Sequence, residues 1–104
     1  MTKYTIEITR AVENDLAELK HLRSKAVEKL LQLEEKPFQK TSSLSGNLKG
    51  LRSFRFNLAE GAYRAVIKIY EDDRVCLLII VGSRENLYKK AARRVKALKK
   101  QGLI

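Results

Sequence analysis

A chain of 104 residues, 44% apolar and 33% charged, has room for one packed domain, residues 1–104, and little besides. No apolar run approaches the ~20 residues of a bilayer-spanning helix, the first ten residues alternate instead of forming a signal-like block, and the single cysteine, Cys76, excludes an internal disulfide. The expectation is a cytoplasmic protein with a buried structural thiol. The net charge of +10 is uneven: residues 1–36 carry seven basic and seven acidic side chains, but residues 84–104 carry eight basic and one acidic, a balance suited to a polyanionic partner.

In chain order, residues 3–9 alternate as a strand, with Tyr4, Ile6 and Ile8 on one face. Val12, Leu16 and Leu19 then recur at helical spacing. After a break near residues 21–24, Ser24 is placed to cap a second helix that turns Val27, Leu30, Leu31 and Leu33 inward and stops at Pro37. The two helices are short and closely joined, as in an antiparallel hairpin. Residues 38–50 are rich in Ser and Gly and read as a loop pinned by Leu44 and Leu48.

Three strands follow, with turns at residues 59–61 and 72–73 too short for crossovers, so they form an antiparallel meander. In the first, Phe54, Phe56 and Leu58 share the core phase and Arg55 and Asn57 the other. In the second, Tyr63, Ala65, Ile67 and Ile69 face the core, and Arg64 and Lys68 share the opposite face with Ala62, Val66 and Tyr70. The third, RVCLLIIV, is continuously apolar, as a strand covered on both faces would be. A final helix carries Tyr88, Ala91, Ala92, Val95 and Leu98 at helical spacing amid lysines and arginines. The fold class is α+β in the order β-α-α-β-β-β-α, with a face of cations on the meander.

That order, together with YTIEIT, LEEKPF, LSGNLKGLRSFRF, GAYRAVIKI and IIVGSRENLY in sequence, resembles the RelE/ParE superfamily of bacterial toxins over nearly the whole chain. The resemblance implies the toxin of a type II toxin–antitoxin system. In the RelE-like branch this is an endoribonuclease that cleaves mRNA on the ribosome and is neutralised by a cognate antitoxin. It implies catalytic roles for Arg55, Arg64, Arg84 and Tyr88. Substrate binding falls to Asn57, Lys68, Lys89, Lys90, Arg93 and Arg94, with no metal and no cofactor. The implied partners are an antitoxin with an acidic amphipathic helical segment, mRNA and rRNA backbone on the ribosome, and operator DNA through the antitoxin complex, in a bacterial or archaeal cytoplasm. Asn57 and Ala59 stand where the branch carries basic residues. They keep open a ParE-like gyrase inhibitor without nuclease activity, or a degenerate member that binds only antitoxin and operator.

Metal-free RNA cleavage requires a 2′-hydroxyl to lose its proton, the phosphorane charge to be stabilised and the leaving 5′-oxygen to be protonated. The usual acid–base side chains are scarce: His21 sits at a helix junction, and Glu60, Asp72 and Asp73 lie in turns. Arginine's planar fork suits phosphate oxygens and stays charged at any working pH. The expectation is that Arg64 and Arg84 hold the phosphate, Tyr88 stacks on a base or moves a proton, and Arg55 orients the 2′-hydroxyl.

Overall fold

A computed structural model describes residues 3–83 and 86–104. Strand β1 (Thr5–Ile8) leads into helix α1 (Arg10–Glu18), and a 3-10 turn at Lys20–Leu22 into helix α2 (Arg23–Leu30). A second 3-10 turn (Leu31–Glu34), a one-turn helix α3 (Pro37–Lys40), the two-residue strand β2 (Ser42–Ser43) and a third 3-10 turn (Gly46–Leu48) precede the meander. The meander is β3 (Arg52–Leu58), β4 (Gly61–Tyr70) and β5 (Val75–Ser83), and helix α4 (Leu87–Lys100) closes the fold. The predicted element order is present, with α3 and β2 added inside the expected loop. Among the described residues no helix is long and apolar enough to cross a membrane.

The strands form one sheet in the order β1-β5-β4-β3-β2, with β1 parallel to β5 and the other pairs antiparallel. Alternation along β3 and β4 sends Phe54, Phe56, Leu58, Ala65 and Ile67 to one face. Val12 and Leu16 of α1 and Ala26 and Leu30 of α2 cover that face. Cys76 is fully buried there, its thiol 3.9 Å from the Leu33 carbonyl, and burial pushes its pKa up to about 11.

The opposite face differs from the sequence expectation. It is not a polar surface with a row of cations but a second core of Val66, Ile79 and Ile80, covered by Leu87, Ala91, Val95 and Leu98 of α4 and by Leu48 and Leu51. Strand β5 is apolar in both phases, as the sequence predicted for a strand covered on both faces, and a β-bulge adds a residue to this core. Val66 pairs with Ile80 but Ile67 pairs with Leu78, leaving Ile79 without a partner, so two successive isoleucines of β5 face α4. Arg64 and Lys68 lie on either side of the buried Val66, at the margins of this core.

Other local expectations also change. Ser24 does not cap α2: the helix begins at Arg23, entered from the 3-10 turn, with no side-chain cap. Leu31 is exposed because α2 gives way at Leu30 to a 3-10 turn, whose tighter winding rotates Leu33 into the core instead. Pro37 does not end that helix but opens α3, where its fixed φ is suited to a first turn. Ile8 shares the phase of Tyr4 but lies at the outer end of edge strand β1 and is exposed. Leu44 and Leu48 pack on the second core as expected. Arg52 explains the ordered course of residues 37–43. Its guanidinium donates to Thr41 Oγ1 (2.6 Å), Ser43 Oγ (2.9 Å) and the carbonyls of Thr41 and Phe38 (2.9 and 3.2 Å), clamping α3 and β2 to the sheet.

Candidate functional site

The strand register brings the predicted residues of the meander together. Arg55 is directly opposite Arg64, and Asn57 opposite Ala62, on the face that α4 only partly covers. Cross-strand partners have Cβ atoms about 5 Å apart, so the two guanidinium groups share one small area of surface. With Phe56 and Tyr63 these four residues line a depression of about 280 Å³.

Helix α4 packs on the same face of the sheet, beside this depression. Leu87 at its start is buried, and it reaches the sheet because residue 82 is glycine: a Cβ there would stand 3.2 Å from Leu87 Cδ1. The next residue, Tyr88, lies over β3 and β4. Its Oη accepts a hydrogen bond from Arg64 Nη1 at 2.6 Å and is 2.9 Å from Ser53 Oγ. The Arg64 guanidinium also stands 5.5 Å from the centre of the Tyr88 ring. With Arg64 donating, the phenol's own proton is available to Ser53, giving a chain Arg64–Tyr88–Ser53 across helix and sheet. Ser53 is buried and was not singled out from the sequence, although it shares the phase of Arg55 on β3.

Within the group at the depression Asn57 and Arg55 are exposed, and Arg55 has no ion-pair partner among the described residues. The other predicted residues are dispersed. Lys68 lies four residues along β4 from Arg64, ~13 Å by strand geometry, with its ammonium 5.1 Å from the Tyr70 ring centre. Lys89, Lys90 and Arg93 are exposed on α4, the last two lining a groove of about 730 Å³ beside Arg10 and Asn14 of α1. Arg84 lies outside the described residues.

Arg94 is not a free cation. It makes a forked ion pair with Asp15 of α1, Nη1 to Oδ2 at 2.6 Å and Nη2 to Oδ1 at 3.2 Å, and also donates to the carbonyl of the bulge residue Ile79 at 3.1 Å. Asp15 Oδ2 in turn accepts the backbone N–H of Val81 at 3.0 Å. Both side chains are largely buried, with 24% and 14% of their surface exposed. The substrate-binding expectation for Arg94 thus meets a guanidinium already occupied by the fold. Asp15 had a signal in the sequence, a carboxylate three residues after Val12 on the apolar stripe of α1.

His21 Nε2 donates to Glu60 Oε2 of the β3–β4 turn at 3.0 Å, both side chains being well exposed. Among the described residues no three His, Cys, Asp or Glu side chains converge as metal ligands would.

No sequence-family model and no curated protein sequence matches the chain. Solved structures do. The RelBE2 toxin–antitoxin complex of Mycobacterium tuberculosis matches with a TM-score of 0.71 at 24% identity, over 81% of this chain and 94% of that one. A mutant of the E. coli toxin RelE in the free state matches at 0.66 and 22% identity, over 91% and 99% of the two chains. The archaeal RelE–RelB complex of Pyrococcus horikoshii matches at 0.57 and 23%, over 82% and 98%. This chain has the RelE fold. The match to free RelE spans 91% of this chain.

Proposed function

We propose that this chain is the toxin of a toxin–antitoxin pair and cleaves mRNA on the ribosome. The observation that carries the reading is the 2.6 Å contact between Arg64 Nη1 and Tyr88 Oη, on a surface shared with Arg55, in a protein of the RelE fold. In this reading the 2′-hydroxyl of the substrate loses its proton to solvent, its oxygen attacks the adjacent phosphorus, the bond from phosphorus to the 5′-oxygen breaks, and that oxygen takes up a proton. Arg64, with Arg84 as the sequence resemblance implies, holds the phosphate oxygens and stabilises the charge that builds on them. Arg55 orients the 2′-hydroxyl. Tyr88, hydrogen-bonded to Arg64 and Ser53, gives its phenolic proton to the leaving 5′-oxygen or stacks on a displaced base. Such a sparse set needs its substrate delivered in reactive geometry, and the ribosome supplies that positioning.

The cations of α4 fit the same reading. Lys89, Lys90 and Arg93 are exposed, and no acidic residue follows Glu85. They meet rRNA or mRNA backbone as point charges during cleavage. In the inhibited state an antitoxin with an acidic amphipathic helix covers the same surface, in the cytoplasm, and the pair reaches operator DNA through the antitoxin. The similar M. tuberculosis structure is a toxin–antitoxin complex and the P. horikoshii one a RelE–RelB complex, which supports this pairing.

The test is in-vitro translation with the purified protein and mapping of new mRNA 5′ ends, with Arg64→Ala as control. The expected result is ribosome-dependent cleavage within codons, lost in the variant. Intact mRNA and undiminished translation would overturn the nuclease reading. A gyrase supercoiling assay then decides the reading that the neutral Asn57 and Ala59 favour, a non-cleaving gyrase inhibitor.

A further inference from the structure

Where β1 ends, the outer edge of β5 loses its partner strand. The last β1–β5 pair is Ile8 with Leu78, and beyond it β5 continues from Ile79 to Ser83. Two side chains replace the missing strand. Arg94 occupies the Ile79 carbonyl and Asp15 the Val81 N–H, and they are bound to each other by two contacts. One ion pair therefore ties together α1, α4 and the end of β5, the strand that leads into Arg84.

Arg94 and Tyr88 occupy opposite flanks of the apolar stripe by which α4 lies on the sheet. Six residues apart, they are separated by ~9 Å along the helix and by roughly 120° around it, with Leu87, Ala91, Val95 and Leu98 between those flanks. Apolar packing is not directional, and a stripe of Leu, Ala and Val tolerates a small roll of the helix about its axis. A forked ion pair with an added carbonyl contact does not. At a side-chain radius of ~6 Å, a roll of about 10° displaces a side chain by ~1 Å, and a shift of that size is worth about 100-fold in a reaction that depends on positioning.

We propose that Asp15 and Arg94 are positioning residues: their ion pair fixes the roll of α4 and the end of β5, and so sets Tyr88 against Arg64. The catalytic consequence rests on the nuclease reading above, but the geometric claim does not. Neither residue touches the depression at Arg55 and Arg64, so each acts through what it holds.

The experiment uses Asp15→Asn, which removes the charge but keeps an acceptor for Val81, Arg94→Lys, which keeps the charge but loses the fork, and Leu98→Ala as a packing control on the same helix. Two quantities are read: the NMR signals of the Tyr88 ring and the Arg64 guanidinium, and the cleavage rate and KM in the translation assay. The expected result is displacement of the Tyr88 and Arg64 signals in both polar variants and a ten- to hundredfold lower kcat with KM within twofold of the parent. Leu98→Ala lowers the melting temperature but leaves those signals in place. Wild-type signals in Asp15→Asn and Arg94→Lys, or equal displacement in Leu98→Ala, would overturn the proposal. Should Asp15→Asn fail to fold, the milder Arg94→Lys decides it. If the wild-type protein cleaves nothing, the nuclease reading fails and the NMR comparison still decides the positioning claim.

Discussion

Two arginines stand at the junction of α4 with the sheet, and their surroundings are opposite in kind. Arg94 has its charge matched within the fold by the Asp15 carboxylate and a further N–H given to the Ile79 carbonyl. Arg64 is also partly buried, but its hydrogen-bond partner is a neutral phenol, its neighbour across the strand pair is another arginine, and among the described residues no carboxylate lies within ion-pair distance of it. A cation taken out of water needs a counter-charge or costs stability. At Arg94 that need is met by the protein itself. At Arg64 no carboxylate among the described residues meets it, and under the proposed function an anion with several acceptor oxygens would do so. Two arginines that are both partly buried thus differ in kind: one is paired with a carboxylate of the fold, the other only with a phenol.

The largest expected effect breaks the comparison on the structural side. Asp15→Ala leaves Arg94 without its counter-charge and the Val81 N–H without its acceptor, and loss of one member of a buried pair costs about 3 kcal/mol. For a domain of this size that lowers the melting temperature by roughly 12–24 °C, readable by calorimetry or urea unfolding. A loss below about 1 kcal/mol would place the pair with ordinary surface salt bridges. Arg64→Ala should do the reverse: unfolding changes by less than about 1 kcal/mol, while mRNA cleavage drops ~100-fold or more, the usual effect of removing one preorganised donor. If Arg64→Ala unfolds as readily as Asp15→Ala, the two arginines are alike and the distinction fails. Tyr88→Phe keeps the ring over Arg64 but deletes both hydrogen bonds of Oη. It is expected to cost about 1 kcal/mol in stability, measured by urea unfolding.

The contrast also marks what the sequence could reveal. Periodicity located the meander, the helical pair and α4, and the phase of β3 and β4 placed Arg55, Asn57 and Arg64 on one face. Each of these rests on local alternation, which survives folding unchanged. The bulge at Ile79 does not: a run such as LLII is equally apolar in either phase, which signals cover on both faces but not that two consecutive isoleucines would face α4. The partner of Arg94 lies 79 residues away, and no local pattern links the two. Lysines and arginines along α4 look equivalent in a row of cations, and only the helix's roll separates Arg94, bound to the body, from Arg93, exposed to solvent. Parallel pairing of β1 with β5 was likewise invisible, since a short alternating strand does not specify its neighbour.

The smallest effect sharpens the comparison most. If Arg64 is held ready for an anion, its cross-strand neighbour Arg55 makes the unliganded protein slightly less stable, because like charges placed directly opposite repel by a few tenths of a kcal/mol. Arg55→Gln should therefore raise stability by about 0.5 kcal/mol, a rise of ~2–4 °C in melting temperature. The gain should shrink in 1 M salt, where the screening length falls to ~3 Å. Cleavage by the same variant is expected to decline, though less than in Arg64→Ala, since Arg55 is exposed and makes no hydrogen bond to Tyr88 among the described residues. A gain in stability with a loss of activity would mean that the protein tolerates repulsion at this surface in order to keep two cations there. A loss of stability in Arg55→Gln would mean that the Arg55 stem packs usefully on the strand, and the charge at this end of the sheet would then be as much a part of the fold as the pair at Asp15.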